Sequence, residues 1–206
     1  MSETNVDVRP LRDFVVNFTR LIEAAPTEAV ILEKGRTLLA RLIARDDWLA
    51  EDFTRPHPEH YRQYLLHCDP LERFSVVSFV WGPGQKTPVH NHTVWGLIGV
   101  LRGSEAAIRF RRGTTGRLEQ AGEREVLRQG AIDAVSPTIG DIHEVSNNEP
   151  EQTSVSIHVY GANIGAVGRE VYDLASGQSK PFVSGYSSTS VPNLWDRSAE
   201  ERLDQN

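Results

Sequence analysis

A chain of 206 residues with a formal charge of -6 is long enough to bury a core of its own, and its charge is spread without the basic block that nucleic acid or an anionic membrane would require. Its single cysteine, Cys68, excludes an internal disulfide framework and fits a reducing compartment, so a cytoplasmic location and small-molecule partners are expected. Met1 to Val8 lacks the apolar run of an export signal, and no apolar stretch approaches the ~20 residues of a membrane span, so neither export nor a membrane is expected.

Leu11, Phe14, Val15, Phe18, Leu21 and Ile22 recur at helical spacing and predict an amphipathic helix that Pro26 stops. A second helix is expected from Thr27, whose hydroxyl can cap it, carrying Val30, Ile31, Leu38, Leu39, Leu42 and Ile43 and fading at Arg45 to Asp47. A short helix is expected from Glu59 to Leu66, after Pro56 and Pro58. From Arg73 onward the texture becomes short runs rich in Val, Ile, Phe and Trp, separated by Gly, Pro, Asn and Asp. Strands are expected over Phe74 to Trp81, Val94 to Arg102, Glu105 to Arg111, Glu123 to Leu127, Ala131 to Val135, Ile142 to Val145, Ser154 to Tyr160 and Arg169 to Leu174. Together they predict a mainly β fold, an antiparallel double-sheet jelly roll over 73–175, within one domain spanning 1–206. A helical annex over 1–66 precedes it, and a Ser, Pro and Gly-rich tail over 176–206 is expected to wrap it with little regular structure, pinned by Leu194 and Trp195.

His90 and His92 are two residues apart, so on an extended segment both imidazoles share a face, with Cα atoms about 6.5–7 Å apart, and one metal can sit between them. His143, on a later strand, offers a third neutral nitrogen. Spacing does not choose the metal: three histidines with open positions suit iron(II) and catalytic zinc alike. Gly84, His90, His92 and Gly103 resemble the first motif of the cupin family, and Gly130, Pro137, Gly140, His143 and Asn147 resemble the second. The resemblance implies a cupin jelly-roll barrel whose turns let ligand-bearing strands converge. Two departures stand out. The glutamate that usually follows the second histidine by four residues is Gly96, and two residues rather than one separate Pro137 from Gly140. Without that carboxylate the site stays doubly positive and favours anionic ligands; one unit charge at about 4 Å is worth on the order of 4 kcal/mol at an effective dielectric of ~20. A small thiol bound as thiolate is a natural match, because metal coordination deprotonates it.

Thr153 to Tyr160 alternates, with Val155, Ile157 and Val159 on one face and Ser156, His158 and Tyr160 on the other. The polar face reads either as a solvent-facing strand or as a buried relay in which Ser156 bonds His158 and His158 bonds Tyr160. Ser-x-His-x-Tyr after a three-histidine cupin resembles the thiol dioxygenases of the cysteine dioxygenase family, over about Tyr61 to Asp196. That resemblance implies iron(II) at His90, His92 and His143, catalytic roles for Ser156, His158 and Tyr160, and incorporation of both atoms of dioxygen into a thiol to give a sulfinic acid. Animal members place a cysteine where Gly96 stands and crosslink it to the tyrosine, which this chain cannot do there.

Cysteine dioxygenases hold the substrate carboxylate with an arginine before the first core strand. The matching residue is Gln63, and the chain is similar to bacterial 3-mercaptopropionate dioxygenases, in which an arginine beyond the relay takes that role; Arg169 stands in the matching place. Gln63 and Arg169 are therefore the expected substrate-binding residues, with Arg62 and Arg73 as possible substitutes. The expected partners are a small thiol carboxylate and dioxygen, with L-cysteine as the alternative substrate. A non-catalytic or sensory cupin and a zinc- or other metal-dependent isomerase or hydrolase are the readings of other classes. His57, His60 and His67 read as surface residues, and Trp81 and Trp95 as core or pocket-wall residues.

Overall fold

The computed structural model describes residues 6–194, and in it two amphipathic helices lie against one face of a β-barrel. The first, α1 (Arg9–Glu23), buries Leu11, Phe14, Val15 and Phe18, the stripe that its periodicity marks. The second, α2 (Glu28–Leu42), buries Ile31, Leu39 and Leu42. Thr27 occupies its N-cap position, but the expected cap is not made: its side chain forms no capping hydrogen bond. Phe18 and Leu39 are fully buried, each worth about 1.5–3 kcal/mol by removal from water. Among the described residues no helix is long and apolar enough to cross a membrane.

Among the described residues twelve strands follow: β1 (Arg62–Cys68), β2 (Ser75–Trp81), β3 (Val89–His90), β4 (Gly96–Arg102), β5 (Ser104–Arg112), β6 (Leu118–Gln120), β7 (Glu125–Arg128), β8 (Ile132–Val135), β9 (Ile142–Asn147), β10 (Ser154–Tyr160), β11 (Arg169–Tyr172) and β12 (Ser179–Phe182). One sheet runs β1-β2-β10-β4-β8; the other runs β12-β11-β3-β9-β5-β6, with β7 also paired to β5. All these pairings are antiparallel, and the two curled sheets form the mainly β cupin barrel. The five-stranded sheet is covered on both faces, which is why every residue of β10 is buried despite its alternating chemistry. Val155, Ile157 and Val159 pack outward with Phe18, Leu39 and Leu97, so the intervening side chains turn into the barrel. There Val77, Phe79, Trp81, Ala107, Val145 and Tyr160 form a second cluster.

The sequence expectation fails at two edges. In place of a helix over Glu59 to Leu66 the chain makes β1, whose backbone pairs with β2 from Arg62↔Val80 to Cys68↔Ser75. Tyr64 and Leu66 join the helix-side core while Leu65 packs with the inner cluster, a two-sided burial available only to an extended chain, and it overrides the helical leaning of this segment. The strands thus begin at Arg62 rather than Arg73. At the other end the supposedly irregular tail contributes β12, paired to β11, so the strands also run past 175. Leu194 is buried as expected, whereas Trp195 lies outside the described residues.

Candidate metal centre and relay

His90 ends β3 and is the register partner of His143 on β9. The route into β9 passes a turn in which Gly140, at φ +122, exchanges backbone hydrogen bonds with Ser136; a side chain there would be strained. His92 lies just beyond β3, held by Asp141: its backbone N–H donates to Asp141 Oδ1 at 3.0 Å. The three imidazole centroids stand 4.8, 4.9 and 4.8 Å apart, nearly an equilateral triangle, and one ring nitrogen of each lies within 4.8 Å of the others.

These residues fit a metal ion. All three rings are buried. Burial, and then the neighbouring His92, pushes His90 down to about 3, and burial holds His143 well below its ordinary value, so both stay in the neutral form that offers a lone pair. His90 Nδ1 donates to Pro88 O at 3.0 Å and His92 Nδ1 to Asp141 O at 3.2 Å, which leaves each Nε2 free to coordinate. No carboxylate belongs to the cluster. Burial works to raise Asp141, but hydrogen bonds from His92 and Thr93 outweigh it and hold this carboxylate below its usual range. Asp141 orients His92, a candidate ligand that sequence reasoning left without a support, although its position two residues before His143 was a usable signal.

Gly96 is in register with Tyr160, and a Cβ on it would lie 2.8 Å from Tyr160 Cδ1 and 2.9 Å from Cε1. Glycine here makes room for the phenol ring as well as removing a carboxylate. Ser156 Oγ and His158 Nε2 are 2.8 Å apart, and so are His158 Nδ1 and Tyr160 Oη. Burial keeps His158 neutral and raises the phenol, so this buried row links uncharged groups. β2 separates the strands carrying Cys68 and Tyr160, and the thiol donates to Asp69 O at 3.6 Å.

The histidines, His158 and Tyr160 line one cavity of about 170 Å³ with Gln63, Arg169, Phe79, Trp81 and Val145. Gln63 is buried on β1, with its side-chain amide donating to Gly185 O. Arg169 is 6% exposed, yet no carboxylate among the described residues pairs with it; its guanidinium donates to Ser184 Oγ at 2.6 Å, stacks over Phe182, and leaves Nε without a partner. Phe182 and Ser184 come from the tail and had no sequence signal, since strand pairing alone brings them here. Arg62 and Arg73 do not line the cavity, and Arg73 is committed to Asp69 at 2.7 Å. Trp81 forms a wall as expected. Trp95 takes the core alternative: it packs beside Phe18, with ring centroids 6.0 Å apart, on the helix side. His57 and His60 stack at 3.8 Å with Glu59 nearby, while half-buried His67 lies against Phe74.

Among solved structures the chain is similar to a double-stranded β-helix protein of Klebsiella pneumoniae, 21% identical over 55% of this chain and 87% of that one, with a TM-score of 0.41. It is similar also to a cupin 2 conserved barrel protein of Salinispora arenicola, 19% identical over 56% and 86%, TM-score 0.40. An oxalate oxidase in complex with the substrate analogue glycolate is 17% identical over 57% and 60%, TM-score 0.42. The family model for cysteine dioxygenase type I matches residues 46–169, a span that holds all three histidines, the Ser156–His158–Tyr160 row, Gln63 and Arg169. With that match over more than half of its length, the chain belongs to the cysteine dioxygenase type I family.

Proposed function

We propose that this protein is an iron(II)-dependent thiol dioxygenase that converts 3-mercaptopropionate and dioxygen to the corresponding sulfinic acid, R–SH + O2 giving R–SO2H. The observation that carries this reading is the buried, unpaired guanidinium of Arg169 in the same small cavity as three neutral imidazoles. A cation held away from water without a counter-ion is costly unless an anion completes it, and a substrate carboxylate does so. Arg169 and Ser184 then fix one end of the thiol carboxylate, with Gln63 beside them. Bound at His90, His92 and His143, iron(II) supplies a Lewis-acidic position for the thiolate and the electrons that activate dioxygen. Tyr160, aimed by His158, presents its hydroxyl to the reacting centre, and Phe79, Trp81 and Val145 limit water around it.

The cavity lining also favours a substrate without an amino group. Among the described residues no aspartate or glutamate lines it, so the ammonium of L-cysteine would face Arg169 and a metal dication with no anion of its own there. The test is kcat/KM for 3-mercaptopropionate and for L-cysteine on the iron-loaded enzyme. The higher value is expected for 3-mercaptopropionate; a clear preference for L-cysteine overturns the substrate assignment.

A further inference from the structure

Glu105, on β5, is completely buried, and neither of its carboxyl oxygens has a hydrogen-bond partner. It stands two residues before Ala107, which packs into the inner cluster with Trp81 and Tyr160, so its side chain also enters the space between the sheets. Burial raises its carboxyl to about 8, against the opposing pull of the Ser156 and Trp81 side chains nearby, where β5 packs against β10. Near neutral pH Glu105 is therefore a neutral acid with a proton to offer.

Ser156 is the first member of the relay, and its bonds can be counted. A hydroxyl has one proton and two lone pairs. Trp81 Nε1 can only donate, and it lies 3.4 Å from Ser156 Oγ, occupying one lone pair. Among the described residues no donor fills the other, and the protonated carboxyl of Glu105, itself without a partner, is a group that can supply one. The serine proton is then committed to His158 Nε2, His158 carries its own proton on Nδ1 and donates to Tyr160 Oη, and the phenol proton is turned toward the cavity. We propose that Glu105 is a positioning residue that donates a hydrogen bond to Ser156 and so sets the direction of the whole relay, every link from Ser156 to Tyr160 pointing toward the metal centre. Its catalytic consequence rests on the dioxygenase reading above, whereas the hydrogen-bond direction does not.

The test reads the tautomer of His158 by nitrogen NMR on metal-free protein, with the signal identified by its loss in His158→Gln. The Nδ1–H form is expected in the wild type and in Glu105→Gln, whose amide can still donate, and a shift toward the Nε2–H form is expected in Glu105→Leu. An Nε2–H tautomer in the wild type overturns the proposal whatever the variants do, and so does an unchanged tautomer in a folded Glu105→Leu. In the iron-loaded enzyme Glu105→Leu is expected to lower kcat about tenfold with KM changed less than about twofold, and Glu105→Gln to recover most of that loss. A wild type inactive on thiols would count against the dioxygenase reading while leaving the tautomer result intact.

Discussion

The phenol ring of Tyr160 lies stacked on the imidazole of His92, with centroids 5.5 Å apart and planes 19° from parallel. One aromatic contact thus joins the hydrogen-bonded row of β10 to the histidine triangle, so a change at the phenol is felt at the triangle without altering any of its three histidines. Tyr160→Phe keeps this stacking and removes only the hydroxyl. The variant is expected to retain its iron per chain, measured by elemental analysis, while kcat falls on the order of a hundredfold. Its stability should drop by about 1–3 kcal/mol in denaturant melts, because buried His158 Nδ1 loses its partner.

Gly96 tests the same contact from below. A methyl group on it would meet ring carbons of Tyr160 at 2.8 and 2.9 Å and Val135 Cγ2 at 3.1 Å, so Gly96→Ala has no free space to fill. It is expected to cost about 1–3 kcal/mol and to lower kcat by displacing the phenol, read from melts and turnover together. Unchanged turnover would mean that the ring position matters little.

Asp69 gives a pH dependence remote from the site. Its side chain accepts from Arg73, at 2.8 and 2.7 Å, and from the backbone of Leu71, and the Arg73 contact above all holds the carboxyl at about 2, below an ordinary 3.8. An acid lowered in this way stabilises the fold above its unfolded value and loses that contribution as pH falls through its folded one. Asp69→Asn is expected to cost about 1–2 kcal/mol at neutral pH, after allowance for the solvent around Arg73, and the gap from wild type should close between about pH 4 and pH 2. Urea melts across that range measure it.

Arg169 carries the substrate assignment. Arg169→Gln is expected to raise KM for 3-mercaptopropionate about thirtyfold or more, equivalent to about 2 kcal/mol, with little effect on oxidation of a thiol that has no carboxylate. An equal loss for both thiols would assign Arg169 to the fold instead of the substrate.

Most of the site lay open in the sequence because its geometry is local. His90 and His92 are two residues apart, and the alternation through β10 separates Ser156, His158 and Tyr160 from the apolar side chains that meet the helices. What stayed hidden depends on pairing between distant segments. Nothing in Arg62–Cys68 announces a strand until β2 lies beside it, and that pairing is what places Gln63 at the cavity. Ser184 and Phe182 likewise reach Arg169 only because β12 folds back on β11. Glu105 was legible as a strand residue, but its complete burial follows from the packing of two sheets.

Thiol oxidation at the histidine triangle is tested most directly by dioxygen uptake measured together with sulfinate formation. Iron-loaded protein given 3-mercaptopropionate should form one sulfinate per dioxygen consumed, and His143→Ala should form none. Disulfide as the sole product, no uptake with any small thiol, or undiminished sulfinate from His143→Ala would contradict it.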